Sequence, residues 1–407
     1  MTDQLRVRAY NVRFGDAILI TIPDRDAAGV TTTRNILIDV GNVLSDKHGG
    51  HLDDLFAPVV ESVTSELDGR PLDLYVMTHE HLDHVQGLLH VSETRQKDLE
   101  VNHAWLTASA DPGYYTSGAH PRAEKEFALA RSSYLAIRRY LDGHAADSTP
   151  YLDALLLNNE AFMLASSTTR KCVEYLRTLA GAENTTYIHA DSDLAGRHPF
   201  NEAKLTVLAP EENTADYYGR FQPMALGELI DEADAATSLV LPKPPSGVDA
   251  GAFYNLVESR RRTFSDNLLN IDRAANNTSV VLQIEWRGWR LLFPGDAETR
   301  SWRQMNKNSE QEGAAERGQE LRPVHLLKVG HHGSHNGTPP VEILERVLPL
   351  QPPADGRKRV ALISTFDQTY NNVPDTDTLT EIKRRVTELV DTRTVGDGKF
   401  TDVFFPG

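Results

Sequence analysis

A single cysteine, Cys172, in 407 residues excludes an internal disulfide and argues against thiolate metal ligation. No apolar run approaches the roughly 20 residues that span a bilayer. The opening Met1-Thr2-Asp3-Gln4-Leu5-Arg6-Val7-Arg8 holds no hydrophobic signal core. These absences lead to the expectation of a cytoplasmic protein with no membrane partner. Positive charge is scarce as well, with 42 Lys and Arg against 58 Asp and Glu and a net charge of −16. So acidic a chain does not hold polyanions through its general field. Attraction to nucleic acid would have to come from bound cations or local basic runs. Arg260-Arg261-Arg262 and Arg357-Lys358-Arg359 are the obvious runs, and each reads first as a solvated surface stretch. Otherwise the make-up, 40% hydrophobic and 25% charged, is that of an ordinary globular protein with ample core.

Chemistry concentrates in Thr78-His79-Glu80-His81-Leu82-Asp83-His84, directly after the apolar run Leu74-Tyr75-Val76-Met77. A buried strand ending in such a loop delivers its polar side chains to the rim of a sheet. There His79 and His81 can point one way, while Asp83 and His84 turn towards a neighbouring point. Imidazole nitrogen and carboxylate oxygen are the ligands that Zn²⁺, Mn²⁺ and Fe²⁺ prefer. The plainer alternative is a polar turn capping a helix that begins at Val85. One histidine would fit that alternative; three with an aspartate point to a metal site, and to two ions.

The flanking chain reads as strands. Residues 5–12 alternate apolar and polar, Ala17–Ile22 and Asn35–Val40 are apolar, and Phe14-Gly15-Asp16 turns between the first two. A helix is expected near Leu55–Leu67, with His48 and His51 solvated in the Gly-rich loop before it. Residues 108–200 carry helical periodicity, as in Ala123–Leu141 and Thr169–Leu179, and read as a helical insertion that either shapes access to the site or simply packs. Residues 211–275 read as a polar loop with a short helix and room for a mobile part. A hairpin turning at Arg287-Gly288 leads into Pro294-Gly295-Asp296-Ala297-Glu298, after which a helix opens. Asn306–Arg322 reads as a solvated link. An apolar strand then runs through Lys328 into Gly330-His331-His332-Gly333-Ser334, and Thr378–Leu389 reads as a last helix.

Thr78-His79-x-His81-x-Asp83-His84 resembles the signature of the metallo-β-lactamase fold superfamily of metallohydrolases. That resemblance implies an α/β fold, an αββα sandwich of two mixed sheets with helices outside, formed as one domain over 1–407. It implies His79 and His81 on a first metal, Asp83 and His84 on a second, and Asp296 bridging the two. It also implies a second-ion ligand in the His331-His332 pair. His331 is taken for that role and His332 as a group facing substrate, although the sequence leaves the choice open. Asp39 is expected to orient a ligand imidazole from behind, and Asp16 to support the site in a similar way. Asn276-Asn277-Thr278-Ser279, Gly295-Asp296-Ala297-Glu298 and Leu327-Lys328-Val329-Gly330-His331-His332-Gly333-Ser334 resemble, more narrowly, the hydrolase domain of competence-type DNA-uptake channel proteins. Lys328 belongs to this series and reads either as a phosphate holder or as a strand residue facing solvent. The chain departs from that branch at Val373-Pro374, where a His-Pro pair is usual. It also lacks an evident third histidine for the first metal; His103, His120, His189 and His198 lie in the right interval, and none sits in a motif.

Two divalent cations are therefore expected, Zn²⁺ first, with Mn²⁺ or Fe²⁺ open. The expected activity is hydrolysis by a metal-activated water, with Asp83, His332 and Lys328 as candidate catalytic groups. The leading substrate is a phosphodiester, in nucleic acid or a nucleotide. Small carbonyl compounds (a lactam, lactone or thioester) form a second reading, and a partner-bound regulatory module with a structural metal site a third.

Overall fold

The computed structural model describes residues 3–43, 51–164, 167, 169–221, 249–367 and 373–407. His48, and residues 222–248 of the polar segment, lie outside them. Among the described residues there are thirteen strands: β1 (Gln4–Tyr10), β2 (Ala17–Arg25), β3 (Thr31–Val40), β4 (Leu74–Met77), β5 (Ala104–Thr107), β6 (Thr185–Ile188), β7 (Lys204–Ala209), β8 (Val281–Trp286), β9 (Trp289–Phe293), β10 (Leu326–Lys328), β11 (Val360–Ile363), β12 (Glu388–Asp391) and β13 (Phe400–Pro406). They make a 7-stranded sheet in the order β13-β1-β2-β3-β4-β5-β6 and a 6-stranded sheet in the order β12-β11-β10-β9-β8-β7. Each sheet has an antiparallel part (β13 to β3, β7 to β9) and a parallel part (β3 to β6, β9 to β12).

Alternation along the strands explains the layering. Leu5, Val7 and Ala9 of β1 turn inward with Ile18, Ile20, Ile36 and Val76, and meet Leu282, Ile284, Trp286, Leu291, Phe293 and Leu362 of the other sheet in one core. The opposite face of the first sheet, through Leu19, Leu37, Tyr75 and Leu106, is covered by helices Leu52–Leu67, Leu82–Arg95 and Arg170–Thr178. The second sheet is covered by helices Thr299–Ser309 and Val341–Val347 and by Thr376–Lys383. Helix, sheet, sheet, helix is the αββα sandwich expected. Among the described residues, no helix is long and apolar enough to cross a membrane.

Several local expectations need correcting. The insertion at 108–200 is not wholly helical, because Thr185–Ile188 adds β6 to the edge of the first sheet. Ala250–Asn277 is a helix of 28 residues where a loop with a short helix was expected. Its apolar side chains Phe264, Leu268, Ile271 and Ala275 recur at helical spacing. They pack on Tyr134, Ile137, Leu152 and Phe162 of the insertion in a separate core, so burial against a distant part of the chain stabilises a helix of polar composition. The link at Asn306–Arg322 is only partly solvated, since Ala314, Gln319 and Leu321 are buried. The last helix is Thr376–Lys383, shifted and shorter, with β12 following it.

The hairpin turn at Arg287-Gly288 has φ of 46° and 83° at its two central residues, as a two-residue turn matched to strand twist requires. It pairs Trp286 with Trp289. Trp286 is buried between the sheets, and its Nε1–H donates to the Pro23 carbonyl at 2.9 Å. Trp286→Ala is expected to lower stability by about 3–5 kcal/mol. An unchanged denaturant midpoint would show that the two sheets are not held together there.

Candidate metal centre

Parallel strands of one sheet end at the same edge, and the loops after them collect side chains from distant parts of the sequence. Asp39 ends β3, the His79–His84 loop follows β4, and Asp296 follows β9. His332 follows β10 and Ser364 follows β11. These five strand ends build the site.

The loop after β4 is anchored through Asp39, which adopts a left-handed φ of 52°. Its Oδ1 accepts the Thr78 backbone N–H at 2.8 Å, and its Oδ2 accepts the Thr78 hydroxyl at 2.6 Å. The same Oδ2 lies 2.8 Å from His84 Nδ1. A carboxylate only accepts, so the ring hydrogen sits on Nδ1 and Nε2 turns its lone pair inward. His332 is set in the same way by the Ser364 carbonyl, 3.0 Å from its Nδ1. Helix Leu82–Arg95 starts three residues earlier than expected, with His81 as its N-cap and Asp83 in its first turn, where a carboxylate meets the positive end of the helix dipole.

Backbone contact fixes the depth of this loop. The Asp16 N–H donates to the Asp83 carbonyl and the Gly41 N–H to the Asp16 carbonyl, each at 3.1 Å. A Cβ on Gly41 would lie 2.3 Å from the Asp83 carbonyl carbon and the His84 nitrogen, and one on Gly15 would lie 2.1 Å from the Gly41 carbonyl oxygen. Both positions therefore need glycine for close approach. From the other sheet, Ser279 Oγ accepts the Asp296 N–H at 3.1 Å, and the Thr78 carbonyl accepts the Val280 N–H at 2.9 Å.

Asp83, His84, Asp296 and His332 consequently meet with one ligand atom each inside a 4.8 Å span. His84 Nε2 is 3.2 Å from Asp296 Oδ2 and 3.7 Å from Asp83 Oδ1. His332 Nε2 is 3.3 Å from Asp83 Oδ2 and 3.5 Å from Asp296 Oδ2. It is thus His332, rather than the His331 expected, that stands with the aspartates. The His79 ring packs against those of His84 and His81, at 4.2 Å and 4.6 Å. Asp83 Oδ1, Asp296 Oδ1 and the Nε2 atoms of His79, His84 and His332 are all buried without a hydrogen-bond partner. Five orphaned ligand atoms at the same strand ends fit divalent cations.

The electrostatics agree. Burial pushes His79 well below the ordinary imidazole value, with His84 and His81 adding to the effect, so its ring is neutral. Burial also opposes charge on Asp296, yet His84 and His332 hold its carboxyl well below the usual range. The same two histidines hold Asp83 low against burial. Burial lowers His84, but Asp296, Asp83 and Asp39 outweigh it and raise the imidazole well above its usual value, so the three carboxylates favour a positive charge at Nε2, which a proton or a metal cation can supply.

Lys328 neither faces solvent nor reaches into open space. It is buried in an ion pair with Asp16, with its Nζ 4.0 Å from Asp296 Oδ1. Asp16 also accepts the Ser364 hydroxyl. Asp16 and Lys328 therefore support the strand ends from below. Burial pulls the Lys328 pKa down, but Asp16 and Asp296 raise it by more, so it stays cationic beside the aspartates.

His331 belongs to a neighbouring group with Asp272 and Glu298. Its Nδ1 lies 3.6 Å from Glu298 Oε1, and its side chain is 21% exposed. Asn276 ties this group together, donating to Asp272 Oδ2 at 3.3 Å and to Glu298 Oε1 at 2.9 Å. On the other side, Asp272 Oδ1 is 3.7 Å from His81 Nε2, and Asn159 Oδ1 is 3.1 Å from the same nitrogen. The candidate third histidines are engaged elsewhere. His120 stacks on Tyr114 and His198 packs on Trp105. His189 lines a cleft with His120, and His103 is half-buried near Asp73. Among the described residues, none of the four joins a group of potential ligands.

The insertion touches the metal loop directly. Arg170 Nη1 pairs with the buried Glu80 at 2.5 Å, and Asn158 Oδ1 accepts the Leu82 N–H at 3.2 Å. The signal for the first contact was in the sequence: Glu80 stands between two presumed ligands at a buried strand end, and a buried carboxylate needs a cation. Asp272 and Asn276, four apart, would have stood out had 250–277 been read as a helix.

No protein-family model and no curated protein matches this chain. Among solved structures, the metallo-beta-lactamase fold protein YhfI from Bacillus subtilis aligns over 99% of this chain and 100% of its own, at 10% identity and a TM-score of 0.39. A long form RNase Z from yeast aligns over 98% of this chain and 41% of its own, at 13% identity and a TM-score of 0.36. Both likenesses are distant and concern overall architecture, not the site.

Asp39→Asn is expected to weaken divalent-metal affinity about 10–100-fold, as loss of a group supporting a ligand histidine does. Competition against a chromophoric chelator measures it. Undiminished affinity would mean that Asp39 does not set the His84 tautomer.

Proposed function

We propose that this protein is a metal-dependent hydrolase with a dinuclear centre, acting on phosphodiesters in nucleic acid or nucleotides. The observation that carries the reading is the set of buried, unpartnered ligand atoms on His79, Asp83, His84, Asp296 and His332. Asp83, His84, Asp296 and His332 would hold one ion. His79 and His81 would hold the other, sharing Asp296, with Asp272 in the position expected of a third histidine. Zn²⁺ suits this imidazole and carboxylate set best, and Mn²⁺ and Fe²⁺ are alternatives. When bound, such ions lower the pKa of water and stabilise charge that develops on an ester.

The chain's own residues divide the remaining work. Asp83, held ionised, can accept a hydrogen bond from the attacking water. His331, partly open to solvent and backed by Glu298, can deliver a proton to a leaving group, a role the buried His332 is too enclosed to fill. Asp39 and the Ser364 carbonyl orient His84 and His332, and Lys328 tempers the repulsion between Asp16 and Asp296. Similarity of the Asn276–Ser279, Gly295–Glu298 and Leu327–Ser334 series to the competence-type hydrolase domain supports phosphodiesters over carbonyl substrates. The lone, buried Cys172 is compatible with a reducing, cytoplasmic compartment.

The test is metal-replete turnover of bis-p-nitrophenyl phosphate and of labelled single- and double-stranded DNA and RNA, with bound metal quantified in parallel. Asp83→Ala and Asp296→Ala should each lose more than about 100-fold in activity, beyond what loss of a supporting group costs, and should lose metal. Asp272→Ala should lower the stoichiometry from two ions towards one. Full metal content without turnover of any phosphodiester would refute the reading. Cleavage of lactones or thioesters by that same protein would then favour a carbonyl hydrolase, and metal-dependent partner binding a regulatory module.

A further inference from the structure

Beside the Asp272–Glu298–His331 group lies a cleft of about 580 Å³ between helices Ala250–Asn277 and Thr299–Ser309. Four cations line it, Arg273, Arg300, Arg303 and Lys307, against one carboxylate, the buried Glu298. In a chain where acids outnumber bases 58 to 42, this is a local inversion of charge. Some surface cations elsewhere pair with acids, as Arg346 does with Glu310 and Arg384 with Glu381, while scattered exposed ones such as Lys125 and Lys171 are in no ion pair among the described residues; what sets the cleft apart is that its cations converge on one space. Arg300 is bound to Glu211 at 2.9 Å. Arg273, Arg303 and Lys307 are exposed, and none of the three is held in an ion pair among the described residues.

The stripe follows from the helix. Arg300, Arg303 and Lys307 recur at i, i+3 and i+7, while Ser301, Trp302 and Met305 on the other side are buried. An amphipathic helix alone would explain a solvated charged face. It does not explain why Arg273, from a different helix, converges on the same space, nor why acidic residues are almost absent from it. The cleft also borders the group that holds His331. Glu298 belongs both to its wall and to the group with His331, and Arg273 directly follows Asp272.

We infer that this cleft binds the phosphates flanking the scissile one in a single-stranded polynucleotide, an inference that rests on the phosphodiesterase reading of the adjacent centre. Its volume suits a short stretch of one strand, and a net charge of −16 opposes the broad electrostatic grip that duplex binding uses. Arg273, Arg303 and Lys307 hold backbone phosphates as exchangeable cations, so binding is sequence-tolerant and falls with salt.

The experiment compares wild type with Arg303→Gln/Lys307→Gln and with the triple variant that adds Arg273→Gln. Anisotropy of a fluorescent single-stranded 12-mer, titrated across salt, reads binding without requiring turnover. The triple variant should bind about tenfold more weakly, and the slope of log K against log salt should shrink by about 2, since each single-strand phosphate contact contributes about 0.7. Where turnover is measurable, kcat/KM on the 12-mer relative to bis-p-nitrophenyl phosphate should fall by a similar factor. Unchanged affinity and slope would overturn the cleft even if phosphodiesters are hydrolysed, as would equal loss on both substrates, or a wild type that binds duplex as well as single strand. Conversely, salt-dependent binding that is lost in the variant would sustain the cleft even if the phosphodiesterase reading failed for want of turnover. A Lys307→Glu variant should weaken binding further than Lys307→Gln; equal binding by the two would also overturn it.

Discussion

Burying carboxylates and imidazoles together is costly, because each leaves water for a medium that solvates charge poorly. The strand ends of this protein do so with Asp39, Asp83, Asp296, His79, His84 and His332, all nearly inaccessible to solvent. Most of their outward-facing atoms are satisfied. Asp39 takes three hydrogen bonds, and the Ser364 carbonyl takes one from His332. The inward-facing atoms are not. A fold that satisfies one nitrogen of each of the three imidazoles and orphans the other is organised for a cation, and the rest of the architecture can be understood as the means of holding that arrangement.

The means are largely backbone. Two sheets share one core of alternating aliphatic and aromatic side chains, which fixes their spacing and brings the ends of β3 and β4 opposite those of β9, β10 and β11. The close approach at Gly15 and Gly41 then presses the β2 and β3 ends against the His-rich loop. Lys328 adds a buried positive charge beneath the cluster, paired with Asp16 and 4.0 Å from Asp296 Oδ1. A rigid scaffold of this kind pre-orders ligands, and that limits the conformational entropy lost when a metal or substrate arrives.

A second layer of organisation comes from the insertion and the helix Ala250–Asn277. Their common core, distinct from that of the sandwich, sets Asn159 and Asp272 against His81, while Arg170, at the start of a helix that covers the first sheet, meets Glu80. The same long helix forms one wall of the basic cleft. The helical layer thus supplies both the polar surroundings of the first pair of histidines and a wall of the basic cleft. The sandwich supplies the chemistry, and the helical layer its context.

The motif after β4, the Gly-Asp turn after β9 and the His-His-Gly-Ser loop after β10 were legible from residue order alone. The strands themselves were legible too, because alternation and short-range spacing are local properties of a chain; the αββα layering came only from the family resemblance that those motifs carry. Asp39 at a strand end was legible from the same local pattern. The choice between His331 and His332 was not, since neighbours on one turn are separated only by the direction the backbone takes there: both have positive φ, and only one is turned towards Asp83. Nor could sequence place Lys328 under Asp16, 312 positions away, or bring Asp272 to His81. It could not reveal that the polar stretch ending in Asn276-Asn277 is a long helix. Those outcomes depend on contacts between segments far apart in sequence, and only the packing of the sheets and of the helical layer decides which distant groups share a site.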